Sequence, residues 1–458
     1  MGTRRAKRWR LAAELIEACK KGDARTLQEA VNLGVDLRYD NNAAVGYACE
    51  NGHVEVLERL LVAGLGVKDL RADRNAAVRW ACRNGHVEVL DRLLTAGLGA
   101  EDLRAENNWA VSAACMNGHV EVLNRLLAAG LGVEDLRADY NDAVRAACEN
   151  GHVAVLDRLL AAGLGVEDLR AKGNEAVRKA CEKGHVAVLD RLLAEGLDVE
   201  DLRACNNYAV GVACENGHVA VLDRLLSAGL GVEDDLRDDD NYAVNMACRF
   251  GHVEVLDRLL AAGLDTEDLR ENANWIIREA CENNNVEVLD RLLAAGLGVK
   301  DLRACNNYAV GVACENGHVA VLDRLLAEGL GIKDLRAQEN YAVRMACAEG
   351  HLAVLDRLLA AGLGVKDLRA FDNYAVRWAC RNGHVEVLER LVVHCGSSFQ
   401  KDWAREVLSA NWDCAKRRRA LVAMRVHGVL PAAGRRAAIV VQRRTREFLR
   451  GWRTPTAP

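Results

Sequence analysis

The chain has 458 residues, half of them apolar, yet only 4% are aromatic and only three are proline, all at or after Pro431. A mixed α/β or all-β globule spends more proline on turns and more aromatics in its core, so the alanine, valine and leucine here point to closely packed helices. The net charge of −5 conceals two basic ends around an acidic body: residues 1–10 carry five basic side chains and no acid, and residues 416–458 carry twelve against the single acid Glu447. Such a division bears on solubility and on the choice of partner, not on fold.

In chain order, residues 1–41 read as a basic segment and a capping repeat, with a first helix over Leu11–Lys21. From 42 to 395 one unit recurs eleven times. Gly-His stands at His53, His86, His119, His152, His185 and His218 in steps of 33 residues, then at His252 after one step of 34. The extra residue lies in EDDLRDDD, residues 233–240. The series continues through His318, His351 and His384, with Asn284-Asn285 in the one missing slot. An asparagine keeps the same register from Asn42 to Asn373. Residues 201–226 and 301–326 are identical, three repeats apart, as recent duplication leaves them.

Residues 75–107 illustrate one unit. Asn75 is expected to cap a helix whose Ala77, Val78, Ala81 and Cys82 form a narrow apolar stripe. Asn84-Gly85 stops it. A second helix buries Val87, Leu90, Leu93 and Leu94, with Glu88 and Arg92 paired outside at i,i+4. Gly97 ends that helix, and Leu98–Asn107 is expected to be an extended loop or hairpin. Gly34 to Asn42 is three residues shorter than Gly64 to Asn75, so every finger after the first should be longer. A pair of helices this small cannot bury its own apolar face, and stacking on neighbours solves the problem.

The period, the helix–turn–helix–loop order and segments such as ACENGHVEVLERLLVAGLGV (48–67) resemble the ankyrin repeat over roughly residues 10–395. The usual Thr-Pro-Leu-His opening is replaced by NAAVRW (75–80) and NYAVRW (373–378), a variant similar to the ankyrin families of giant DNA viruses of amoebae. The resemblance implies an all-α solenoid with helical caps. It implies a non-enzymatic scaffold or adaptor, a monomer without cofactor, binding proteins through a concave surface of helices and fingers. The viral likeness implies a host protein as partner.

Counted from each asparagine, positions +1, +4, +5 and +8 vary while the apolar positions do not. Trp109, Tyr208 and Tyr308 stand at +1; Trp80 and Trp378 at +5 are flanked by Arg79 and Arg83, and by Arg377 and Arg381. Aromatics and arginine are the residues that most often dominate binding energy, so these nine are the candidate contact residues. The +1 rings have an alternative role in packing between repeats.

Twelve cysteines recur at one position, from Cys19 to Cys380. Equivalent positions in stacked repeats lie about 8–10 Å apart, too far for a disulfide, so free thiols in a reducing compartment are expected. Cys-x-x-x-His, as in Cys49/His53, offers two ligands where a zinc site needs four, and the histidine is expected to bond to loop backbone. No catalytic residue or metal ligand is assigned.

Residues 396–430 read as a worn helical cap and 431–458 as a basic helical tail. AAIVVQRRTREFLRGW (437–452) resembles the IQ motif of calmodulin-binding segments, with Val441, Gln442 and Arg446 matching and Phe448 and Trp452 on the apolar side. Glu447 and Gly451 depart from that motif. Nucleic acid is the other partner this basic tail suits, which would make the chain a virion or structural protein. No apolar run approaches the roughly 18 residues of a membrane span, and no apolar stretch follows the basic N-terminus as in a signal peptide. The sequence therefore points to an intracellular, cytoplasmic protein, with basic patches compatible with nuclear import.

Overall fold

The computed structural model describes residues 2–231, 235–271 and 273–395, apart from the side chains of 2–10, 238–240, 274 and 305. Every regular element among the described residues is a helix. The repeats fall into two compact units, one ending at Ala243 and one beginning at Val244.

The first unit opens with α1 (Gly2–Lys21), longer than the expected Leu11–Lys21, followed by α2 (Ala24–Asn32). Asp23 caps α2 by accepting the N–H groups of Arg25 and Thr26, each at 3.1 Å. Then come α3 (Tyr39–Glu50) and α4 (Val54–Val62), a one-turn helix α5 (Val67–Leu70), and the next pair α6 (Ala72–Arg83) and α7 (Val87–Thr95). Ala77, Val78, Ala81 and Cys82 are buried as expected. On α7, Val89, Leu90 and Leu93 are wholly buried while Val87 and Leu94 sit at the margin. Each such leucine contributes about 1.5–3 kcal/mol of apolar burial, and alanine and cysteine on the facing helix let the two approach closely.

Two expectations about the finger are corrected. It is not an extended loop: Gly66 leads into α5, and Gly99 likewise into the turn Ala100–Leu103. The acid of Asp-Leu-Arg caps that turn, Asp69 Oδ2 accepting the Gly66 N–H at 2.9 Å. Nor does Asn75 act as a helix cap. Asp73, Arg74 and Asn75 all have left-handed backbone, φ 50°, 56° and 59°, and the right-handed helix starts only after them. Consecutive left-handed residues cost roughly 1–2 kcal/mol each, and asparagine is among the side chains that tolerate the region best. That explains its return at the last position of every such turn. The first finger lacks the one-turn helix seen in α5, matching its shorter length.

Three side-chain ladders tie neighbouring repeats together. In the fingers, Arg104 donates twice to Asp135 of the next repeat, at 2.7 and 3.0 Å. The same bidentate pair joins Arg38 to Asp69, Arg71 to Asp102, Arg137 to Asp168 and Arg170 to Asp201. On the second helices, Arg92 reaches Glu58 of the preceding repeat (3.3 Å) in place of the expected Glu88, and Arg125–Asp91, Arg191–Asp157 and Arg224–Asp190 repeat the step. At the turns, His86 Nε2 donates to the Glu50 carbonyl at 2.9 Å, and His119 to that of Arg83 at 3.0 Å. The histidine thus bonds to the end of the neighbour's first helix, not to its own loop.

The inserted residue of EDDLRDDD is absorbed without breaking the finger ladder. Leu236 N–H bonds to the Gly231 carbonyl five residues back, where Leu70 reaches Gly66 only four back. Asp235 keeps its place in the ladder, with Arg203 at 2.6 and 3.1 Å.

The second unit repeats these devices. Arg303–Asp334 and Arg336–Asp367 continue the fingers, and Arg324–Asp290 and Arg357–Asp323 the second helices. In the slot without Gly-His, Asn285 Nδ2 donates to the Arg249 carbonyl at 3.0 Å and replaces the imidazole.

Candidate functional site

Within each unit the variable positions lie along the first helices in a strip, one row per repeat. In the first unit the strip brings Arg79, Trp80, Arg83 and Trp109 together. Trp80 and Trp109 meet edge to face with centroids 6.5 Å apart. The Arg79 guanidinium lies 5.6 Å from the centre of the Trp109 ring, and that of Arg83 lies 5.3 Å from the Trp80 ring. Arg79 also donates to the Asp73 carbonyl at 3.0 Å, which fixes it against the left-handed turn. Both tryptophans are half-buried.

The pattern has a rule. Residue +4 of one repeat lies over residue +1 of the next: Arg79 over Trp109 and Arg178 over Tyr208 (5.3 Å). In the second unit Arg278 covers Tyr308 (6.0 Å) and Arg344 covers Tyr374 (5.0 Å). Where +4 is glycine, the ring fills the vacant space: Tyr242 packs on Gly211 and Tyr341 on Gly311. The +1 rings therefore do pack between repeats, while Tyr208 and Tyr308 keep an exposed face, 39% and 37% accessible.

Around the last described repeat of the second unit, Arg344 lies between Phe371 (4.5 Å) and Tyr374, and Tyr374 packs on Trp378 at 5.5 Å. Arg381 covers Trp378 at 4.7 Å, and Arg377 pairs with Asp372 at 2.9 Å. Tyr341 donates its hydroxyl to Glu315 at 2.8 Å; burial first, and then that carboxylate, push the phenol up to about 12.

Sequence reasoning passed over Tyr140 and Phe371, which stand on left-handed turns and are 75% and 57% exposed, and over Arg178 and Arg344. The residues just before each asparagine vary as freely as the helix positions, and that variation was the available signal. The tail residues Val441, Gln442, Arg446, Phe448 and Trp452 lie outside the described residues.

The recurring cysteines are buried, and burial pushes their thiols up, to about 12 for Cys181 and Cys214. A thiol so placed stays protonated and is a poor nucleophile, while its neighbouring histidine is engaged with backbone. Among the described residues no three His, Cys, Asp or Glu side chains converge as metal ligands, and no helix is long and apolar enough to cross a membrane.

Family models of ankyrin repeats match residues 15–107, 111–203, 178–270 and 210–304 as three-copy arrays, and 343–392 as a multi-copy array. A comparison with curated proteins gives no match. Ankyrin repeats are typically non-enzymatic modules that mediate protein–protein interactions. Matched over more than half its length, and built of stacked helix pairs joined turn to helix by histidine, the chain belongs to the ankyrin-repeat family.

Proposed function

We propose that this protein is a binding scaffold or adaptor that holds a protein partner on the strip of first helices and fingers. The supporting observation is the interleaving of guanidinium groups with aromatic rings that stay partly accessible, at Trp80/Trp109, Tyr208, Tyr308 and Tyr374/Trp378. Rings and guanidiniums already held in place lose little side-chain entropy on binding, which is what a contact hot spot requires. The likeness to the ankyrin families of giant DNA viruses supports a host protein as the partner and the host cytoplasm as the place. The basic tail is left a separate contact, with nucleic acid or a calmodulin-like protein, supported by the twelve basic side chains against one acid in residues 416–458.

Proximity labelling in the native cell, comparing the intact protein with the Trp80→Ala/Trp378→Ala variant, tests the reading. A set of neighbours lost in the variant at equal expression supports it. Identical neighbours for both would remove it.

A further inference from the structure

The identical segments 201–226 and 301–326 make an internal comparison, because one sequence meets two different preceding repeats. In the first copy Asp201 is locked: Arg170 donates to it at 2.8 and 3.0 Å, and Asn174 adds a bond at 3.3 Å. In the second copy the corresponding Arg270 has slipped. Its Nε stands 3.8 Å from Asp301 Oδ1, beyond hydrogen-bond range, while its other nitrogens hold Glu267 at 2.8 Å and the Gly296 carbonyl at 3.4 Å. Asp301 still caps its own turn through Oδ2, with the Gly298 N–H at 2.9 Å, so it is Oδ1 that has lost its close arginine.

A cavity of about 230 Å³ opens at this junction, far above the roughly 10–15 Å³ that one water needs. Asp301, Trp275 and Tyr308 line it together with Arg278. Trp275 stands where the first copy has Glu175, so the aromatic wall belongs to this junction alone of the two. The charge of Arg278 is offset by Glu279 at 2.7 Å and Glu282 at 3.8 Å.

We infer that this cavity is a recognition pocket for an arginine side chain of the protein partner. The inference rests on the binding-scaffold reading and names the chemistry of one contact within it. Two aromatic walls and a carboxylate oxygen suit a planar cation that stacks and donates at once, which guanidinium does and ammonium does less well. Elsewhere the molecule fills both halves of this arrangement from its own chain, as Arg170 does for Asp201 and Arg178 for the Tyr208 ring. Between Trp275 and Asp301 the chain's own arginines stand off, Arg270 at 3.8 Å from Asp301 and Arg278 at 6.0 Å from the Tyr308 ring, and a guanidinium from outside completes the arrangement. The acidic body of the chain favours such a partner at long range.

The test is a titration of the full-length protein with N-acetyl-arginine amide, followed by the NMR signal of the Trp275 indole N–H, with N-acetyl-norleucine amide as the neutral control. The arginine amide should shift that signal saturably, and the norleucine amide at least tenfold less. Asp301→Asn and Trp275→Phe should each weaken the shift severalfold, while Asp201→Asn in the twin segment leaves it unchanged. Equal response to the neutral control, no response of Trp275, or equal sensitivity to Asp201→Asn would each overturn the pocket. Because the probe is a small molecule, these results are independent of whether the whole array captures a protein. Loss of the pocket therefore leaves the scaffold reading standing, and the converse also holds.

Discussion

The Arg79 guanidinium reaches across a repeat boundary to lie 5.6 Å from the centre of the Trp109 ring. One residue is at position +4 of its repeat and the other at +1 of the next, so the variable strip is also a structural joint. A double-mutant cycle with Arg79→Ala and Trp109→Ala, read by urea unfolding, should give a coupling of about 0.5–1 kcal/mol. Additive losses would show that the two merely coincide.

The glycine form of the joint makes a sharper prediction. A Cβ added at Gly311 would lie 2.8 Å from the Tyr341 ring. Gly311→Ala should destabilise the protein by about 1–3 kcal/mol through overpacking. In a Tyr341→Ala background the same change should cost little, and thermal melts of the three variants measure it.

At the turns, His119 Nε2 and the carbonyl of Arg83 form a bond that Asn285 reproduces toward Arg249. His119→Ala should cost about 1 kcal/mol. His119→Asn should recover at least half of that, because the natural replacement already does the same work. Equal losses for the two variants, measured by chemical unfolding, would assign the histidine to packing instead.

The finger ladder sets a pH dependence. Hydrogen bonding from the paired arginine, more than any other influence, holds the Asp135, Asp168, Asp334 and Asp367 carboxyls below the ordinary 3.8. A lowered folded value means the unfolded chain binds more protons in acid. This contribution is therefore complete above the unfolded value and is lost as pH falls through the folded one. Unfolding free energy should be level from pH 7 to about 5 and decline below about 4. Asp135→Asn should lower it by about 1 kcal/mol at neutral pH, a figure reduced for the exposure of Arg104. The same substitution should also flatten the acid slope.

Much of this architecture was legible in the sequence, because a 33-residue period and a two-helix apolar pattern leave few alternatives. The stripe Ala77, Val78, Ala81 and Cys82 was read correctly, since burial follows helical spacing. The finger was not. Asp-Leu-Arg recurs in nearly every repeat, yet Asp102 and Arg71 are partners only when repeats stack, and periodicity within one repeat cannot show a contact between two. Asn75 misled for a related reason: asparagine favours both helix caps and left-handed turns, and only the backbone chooses between them. In the strip, the candidates Trp80 and Trp109 fell side by side, but the +4/+1 joint that orients them needed the geometry of neighbouring repeats.

The most direct measurement is the dissociation constant of the partner recovered by proximity labelling, for the intact protein and for Trp80→Ala/Trp378→Ala. Binding through the strip predicts at least a tenfold rise in Kd with an unchanged melting profile. An unchanged Kd for a folded variant would contradict it.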